Sequence, residues 1–170
     1  DWSSDVCSSD LKSFTIDDTN FRSQLESINI FWCPQLESAH ITSSILTFLS
    51  IDICSALKSV TINTPKLETL RMYAYPSVPS NINLEHIALR SKRLSVLPLH
   101  KCAQLKSVSL ECPQLPVLNL LSNRNLERLK LVACTALERI AVASPFIDLS
   151  DTGFWMDIAR NTPRVKMLFI

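Results

Sequence analysis

The side chains best suited to chemistry in this chain are its cysteines and histidines, since thiolate and imidazole can bind zinc or serve as nucleophile and base. No Cys-x-x-Cys pair occurs, and the three histidines have no ligand spacing. His100 and Lys101 adjoin Cys102 and could activate its thiol, but a sequence repeat places His100 outward and Cys102 inside a turn. A single glycine is too few for a phosphate-binding loop. We predict no catalytic residue, no metal and no cofactor.

The first eleven residues, DWSSDVCSSDL, resemble the in-frame translation of a sequencing-adapter oligonucleotide. We predict that 1–11 are not native and that 12–170 are one solenoid domain, truncated at both ends. Without 1–11 the acidic count falls from 16 to 13, against 17 basic residues. Like charges do not form runs, and no apolar stretch is long enough to span a bilayer. These features predict a protein that binds neither nucleic acid nor membrane.

A six-residue pattern, Leu-x-x-Leu-x-Leu with Val, Ile or Met substituting, recurs every 10 or 11 residues, with one longer spacing of 17 between Leu67 and Leu84. Its opening leucines are Leu25, Leu36, Leu46, Leu57, Leu67, Leu84, Leu94, Leu105, Leu115, Leu126 and Leu137. The fourth and sixth positions share a parity, which places both on one face of a strand, and the units are too short for amphipathic helices. Paired units predict coils of about 21 residues, each with a short strand on two sides.

The two halves of a coil differ in their turns. In the first half a cysteine or asparagine follows the strand, and we predict that these residues form a buried structural ladder bonded to free backbone groups. The ladder residues are Cys33, Cys54, Cys102, Asn123 and Cys134. The second half has small or polar residues, often before proline. We expect the alternation of halves to slip once, at Leu126, where one 11-residue unit follows another.

Two segments depart from the repeat. Residues 73–83 contain two prolines and predict a surface loop, whereas 151–161 predict a capped helix. Outside residues 1–11 the chain has five cysteines. This odd number, mostly at one repeat position, favours reduced thiols in the cytoplasm or nucleus over a secreted disulfide framework.

The segment LSDTGFWMDIARNTPRVKMLFI resembles the cysteine-containing leucine-rich repeat of F-box proteins, of the plant and algal type. Leu149, Asp151, Gly153 and Pro163 match that repeat, whereas Thr162 replaces its cysteine. The resemblance implies an α/β fold leaning to β: a leucine-rich-repeat solenoid of short parallel strands with one convex helix near the C-terminus. It also implies the substrate-recognition region of an adaptor in a cullin-type ubiquitin ligase, whose scaffold would be bound through an F-box outside this fragment.

By the same resemblance, the cysteine-bearing half forms the concave sheet that binds a protein target. The predicted partner-binding residues point outward from that half: Phe31, Phe48, Arg71, Tyr73, Val96, His100, Asn119, Leu121 and Lys130. Aromatic, apolar and cationic side chains are typical of protein-recognition patches, although β-branched and aromatic residues are also simply favoured on strands. The other half is mostly small and polar, and we expect it only to support the fold.

Three other functions compete with that of a ubiquitin-ligase adaptor. A leucine-rich-repeat interaction protein without a ubiquitin role would have the same surface. An exported microbial adhesin-type repeat protein would carry a signal peptide upstream, and the reduced thiols argue against it. A catalytic solenoid acting on polysaccharides would need clustered carboxylates on one sheet, which the second-position glutamates Glu37, Glu68, Glu127 and Glu138 do not supply.

Overall fold

A computed structural model describes residues 2–6, 9–18, 24–72, 83–147 and 152–165. Within these ranges the chain forms short strands and one helix. They are β1 (Trp2–Val6), β2 (Ser13–Asp17), β3 (Leu25–Phe31), β4 (Ser38–Thr42), β5 (Phe48–Asp52), β6 (Ser59–Asn63), β7 (Thr69–Arg71), β8 (His86–Arg90), β9 (Ser107–Glu111), β10 (Val117–Leu120), β11 (Arg128–Leu131), β12 (Arg139–Val142) and α1 (Thr152–Asn161).

The strands pair in parallel as three sheets. Sheet A has the order β1-β3-β5-β7, sheet B the order β11-β9-β8-β6-β4-β2, and sheet C consists of β10 and β12. Apart from β8 and β9, which are consecutive strands of sheet B, successive strands alternate between sheet B and one of the other two, so the chain crosses from one side of the molecule to the other between them. The predicted β-leaning solenoid with parallel strands on both sides is therefore confirmed, with about five coils.

The core is a column of leucines closed by a recurring turn. In β6, Val60 and Ile62 are buried while the alternate side chains are only partly so, as expected of a strand with one face toward a core. Most of the described turns end with a hydrogen bond from an opening leucine N–H to the carbonyl three residues earlier, as from Leu57 to Cys54 at 3.1 Å. The Leu46 and Leu94 N–H groups donate instead to the hydroxyls of Ser43 and Ser91. Such a bond closes the turn and directs the leucine side chain into the core. Each opening leucine from Leu36 onward is fully buried.

The strand expected after Leu94 does not form. Pro98 and Leu99 are buried there while Leu97 is only partly so, and the Leu99 N–H bonds back to the Leu97 carbonyl at 3.1 Å. Pro98 lacks the N–H that a central strand must donate to the ladder. Pro98 therefore separates sheet A from sheet C. The repeat predicted that Leu97 points inward and Pro98 outward, and this prediction is wrong, because Pro98 is the more buried of the two.

The expected slip at Leu126 is also wrong, because the sides alternate without interruption. β11 pairs with β9 of sheet B, Arg128 lying opposite Ser107 and Lys130 opposite Ser109. The Glu127 N–H also donates to the Lys106 carbonyl at 2.8 Å. The 11-residue unit that begins at Leu126 therefore belongs to the half that elsewhere has 10-residue units.

Cys134 consequently lies in the turn column of the other half. Its thiol donates to the Leu110 carbonyl of sheet B, and it neighbours Cys112 of the preceding coil. In the coil after Asn123, the ladder position is occupied by Ser144 instead of Cys134. The Ser144 hydroxyl donates to the Leu126 carbonyl at 2.6 Å. All five predicted ladder residues are nevertheless buried.

Three turns contain a residue in the left-handed backbone region. Trp32, Ile53 and Ala133 have φ of 56°, 57° and 48°, and each directly precedes a ladder cysteine. That cysteine thiol donates to the carbonyl two residues earlier, as from Cys54 to Asp52 at 3.5 Å. Each of these turns lies in an 11-residue unit, whereas the 11-residue units that begin at Leu94 and Leu115 contain no such residue. No glycine relieves the steric cost of this conformation, which is of the order of 1 kcal/mol for a residue with a Cβ.

Replacing Ala133 with glycine should stabilise the protein by about 0.5 to 1 kcal/mol, because glycine adopts positive φ without a clash. The Ala133 side chain is exposed, so little packing is lost. Urea denaturation monitored by circular dichroism would measure the gain. Ala103 is an exposed turn alanine without positive φ, and glycine there should destabilise; stabilisation at both positions would contradict the conformational cause.

The C-terminal end of the described chain confirms one prediction, whereas the N-terminal end leaves another untested. α1 confirms the helix expected at 151–161 and contacts β11. β1 pairs with β3 through backbone groups that every residue carries, so the origin of 1–11 stays a prediction. Most of the loop expected at 73–83 lies outside the described residues.

Candidate functional site

An exposed aromatic and cationic patch lies on and beside the outward face of sheet A. We call Phe31, Trp32, Phe48 and Arg71 the aromatic patch. The Arg71 guanidinium carbon lies 5.2 Å from the centroid of the Phe48 ring, and the Phe31 and Trp32 rings are tilted with centroids 6.5 Å apart. Phe31 is 41% and Trp32 55% exposed. Large apolar side chains this exposed mark candidate interaction sites when they cluster.

The sheet holds these side chains at fixed spacing. Phe48 lies opposite Ser27 on β3 and Thr69 on β7, and Arg71 is two positions beyond Thr69, so it reaches diagonally over the Phe48 ring. Such stacking leaves a cation beside an aromatic face. Among the described residues Arg71 forms no ion pair, and its charge is therefore available to a partner.

Trp32 is absent from the predicted partner-binding residues because those alternate along the outward face of a strand, and Trp32 directly follows the last of them on β3, Phe31. The left-handed backbone at Trp32 instead leaves its side chain exposed, while its N–H donates to the Asp52 carbonyl at 3.1 Å. The same position holds Ile53 and Ala133 in other coils. The sequence carries one signal that could have found Trp32. A large aromatic residue stands at a turn position whose left-handed backbone favours a small or flexible residue.

The remaining predicted site residues do not join the aromatic patch. Asn119 lies on sheet C and Leu121 just after it, whereas Val96 and His100 belong to the strandless segment around Pro98. Tyr73 lies outside the described residues. Placing Lys130 with the aromatic residues is wrong, because β11 belongs to sheet B. Phe31, Phe48 and Arg71 are the predicted residues that sheet A brings together.

Four buried thiols, those of Cys54, Cys102, Cys112 and Cys134, are poorly suited to nucleophilic chemistry. Burial raises the pKa of Cys54, Cys102 and Cys112 to about 12, because a thiolate loses hydration in the core. Burial also raises the pKa of Cys134. The thiolate is the reactive form, so a thiol with such a pKa stays inert near neutral pH.

These raised pKa values predict both protection and a pH dependence. At pH 8, iodoacetamide should leave Cys54, Cys102 and Cys112 unmodified in the folded protein and alkylate them in urea, as mass spectrometry of tryptic peptides would show. The unfolded thiols ionise near pH 9 and the folded ones near pH 12, so the free energy of unfolding should be constant below pH 9 and fall between those values. Equal labelling with and without urea would contradict this assignment.

The described residues contain no group of three or more histidine, cysteine, aspartate or glutamate side chains that could hold a metal ion. In the same part of the chain, no helix has the length and apolar character needed to cross a membrane. The lack of a catalytic role stays a prediction.

One edge of sheet B carries charges that alternate from coil to coil. We call Lys12, Glu37, Lys58, Glu85, Lys106 and Glu127 the rim column. The backbone N–H of each later member donates to the carbonyl of the member before it, at 2.8 to 2.9 Å. The Lys106 ammonium also lies 2.7 Å from a Glu85 carboxylate oxygen. That contact lowers the pKa of Glu85 and raises the pKa of Lys106. The charges therefore stack with opposite signs as neighbours.

These features define the chain as a β-rich repeat solenoid with an exposed aromatic and cationic patch. No family model, no curated protein and no solved structure matches it.

Proposed function

We propose that this protein is a non-enzymatic recognition scaffold that holds a target protein on the aromatic patch. The observation that carries the proposal is the exposure of two adjacent aromatic rings, Phe31 and Trp32, at the end of β3, in the same sheet that carries the Arg71–Phe48 cation–π contact. Tryptophan, tyrosine and arginine are the residues that most often dominate protein interfaces.

The patch indicates the chemistry of its target. Phe31 and Trp32 offer apolar area, and Arg71 offers guanidinium donors that suit a carboxylate. A complementary surface would therefore place an apolar side chain beside an aspartate or glutamate. Because the backbone ladder already orders β3, β5 and β7, binding would cost little further backbone entropy.

Quantitative affinity purification of the full-length protein from its own cells tests the proposal. The double substitution Phe48→Ser with Arg71→Glu should reduce recovery of specific partners by at least about tenfold, the loss expected for removal of an interface hot spot. The matched control is Val117→Ser with Arg139→Glu, since Val117 and Arg139 lie opposite each other on sheet C and are exposed. Equal recovery with both variants would exclude the patch as the binding surface.

The resemblance to F-box leucine-rich-repeat proteins supports a narrower proposal, that the scaffold presents its target to a cullin-type ubiquitin ligase. The action would be positional: the solenoid would hold the target, and an F-box in the same protein would bind the ligase scaffold. Co-purification of the full-length protein with that scaffold is the test. Partner binding without any association with the ligase would retain the recognition role and remove the ubiquitin role.

A further inference from the structure

A shallow depression of about 300 Å³ lies on the outward face of sheet B, away from the aromatic patch. Small side chains at the same position of successive strands form its floor. Thr61, Ala88, Ser109 and Lys130 occupy this row, each opposite the next across the sheet. The first three are small and only partly exposed, whereas Lys130 is exposed, so the row is a flat floor that ends at an ammonium group.

The charges around the depression are unbalanced. Arg90 and Glu111 on one side form an ion pair at 3.0 Å between guanidinium Nε and carboxylate Oε1, and they neutralise each other. Lys130 lines the depression, and Arg128 lies just outside it, two positions before Lys130 on β11 and on the same face. Both are exposed, and within the described ranges neither forms an ion pair. The two cations at this end of the floor outnumber the single carboxylate, Asp157, of the helix α1 that contacts β11.

The dimensions of the row suit a short extended segment. Neighbouring strands lie about 4.8 Å apart, so the three steps from Thr61 to Lys130 span about 14 Å. An extended chain advances about 3.3 Å per residue, and four or five residues would cover that distance. The hydroxyls of Thr61 and Ser109 offer donors and acceptors to a polypeptide backbone along the way.

We propose that this depression is a second binding site, which takes an extended acidic segment of a partner protein. Small side chains of that segment lie over Thr61, Ala88 and Ser109, and its carboxylates pair with Arg128 and Lys130. Charge complementarity selects this occupant. Nucleic acid presents a continuous run of phosphates, which two cations at one end of a neutral floor do not match.

Two peptides that differ only in charge test the proposal on the ¹⁵N-labelled full chain. The probes are the amidated peptides Ser-Ala-Ser-Glu-Glu and Ser-Ala-Ser-Gln-Gln. The acidic peptide should shift the amide resonances of Ser109 and Lys130 and bind at least about tenfold more tightly than its neutral counterpart, with a preference that weakens as salt is added.

The substitutions Arg128→Glu with Lys130→Glu should abolish the preference for the acidic peptide. Arg139→Glu is the matched control, since it makes the same charge change at an exposed strand arginine of sheet C and should leave binding unchanged. If the doubly reversed variant fails to fold, Arg128→Gln with Lys130→Gln removes the charges without adding repulsion. Phe48→Ser should retain peptide binding, which separates this site from the aromatic patch.

Equal binding of the two peptides would overturn the proposal, as would equal losses in the β11 variant and the Arg139→Glu control. Resonance shifts confined to sheet A would also overturn it. A short oligonucleotide that binds the depression as tightly as the acidic peptide would show a general anion surface and would exclude a peptide site.

Discussion

Replacing Asn123 with aspartate is expected to destabilise the protein by about 2 to 5 kcal/mol. The Asn123 amide nitrogen donates to the Leu99 carbonyl at 3.2 Å and to the Cys102 carbonyl at 2.7 Å, and the side chain is fully buried. A carboxylate has almost the same size but cannot donate, so two buried carbonyls lose a partner, at about 1 to 3 kcal/mol each, and a charge enters the core. Urea denaturation at neutral pH would measure the loss.

Asn125 offers the matched control two residues away. Its amide nitrogen bonds to Gln104 at 3.2 Å on the exposed side of the same turn. Asn125→Asp makes the identical chemical change where water can replace the lost donor, and it should alter the free energy of unfolding by less than about 0.5 kcal/mol. Equal losses at the two positions would mean that Asn123 does not join consecutive coils.

Leu118→Ala is expected to cost about 2 to 5 kcal/mol, the range for a buried leucine that leaves a cavity. Leu118 is 1% exposed and lies opposite Ile140 in the two-stranded sheet C. That sheet has no strand partner on the side of Pro98, so few neighbours can move in to fill the space. Because coils contact only adjacent coils, the protection of amides from hydrogen exchange should fall first in β10 and β12.

Leu97→Ala is the control for Leu118→Ala. Both leucines hold the fourth position of the repeat, but Leu97 is only partly buried. Its truncation should cost less than half as much, since less apolar area returns to water. A cost equal to that of Leu118→Ala would mean that the segment around Pro98 packs as a regular strand.

The repeat length and the parity of its apolar residues were enough to predict the coil, the parallel strands and the core. These features depend on local periodicity, which a sequence displays directly. At Val60 and Ile62, or Leu118 and Leu120, the inward positions agree with the burial that the structure shows. The helix at the end of the described chain was likewise predictable from its capping residues.

The side of the solenoid on which a strand lies was harder to predict. Cys134 occupies a turn of the same form as those of Cys33 and Cys54, with a left-handed residue before it and a thiol bond to the carbonyl two residues back. Turn chemistry is local and forms equally well on either side. The side on which a strand lies is decided by the number of half-coils that precede it in the chain. By that count β11, and Lys130 with it, lies on sheet B.

The candidate site was predictable only in part for a related reason. Phe31, Phe48 and Arg71 follow from strand parity, whereas Trp32 depends on a backbone conformation that its residue type disfavours. The depression on sheet B exists because Thr61, Ala88 and Ser109 all have small side chains. Single positions do not reveal such a floor until the pairing of β6, β8 and β9 is known.

The rim column determines how this solenoid could be lengthened or shortened. Each coil contributes one charge, and the signs alternate from Lys12 to Glu127. Deleting the coil that carries Glu85 would bring Lys58 beside Lys106, whereas deleting two adjacent coils would restore opposite neighbours. The geometric repeat is thus one coil, but the electrostatic repeat is two. Insertions and deletions of paired coils should preserve the fold better than those of single coils.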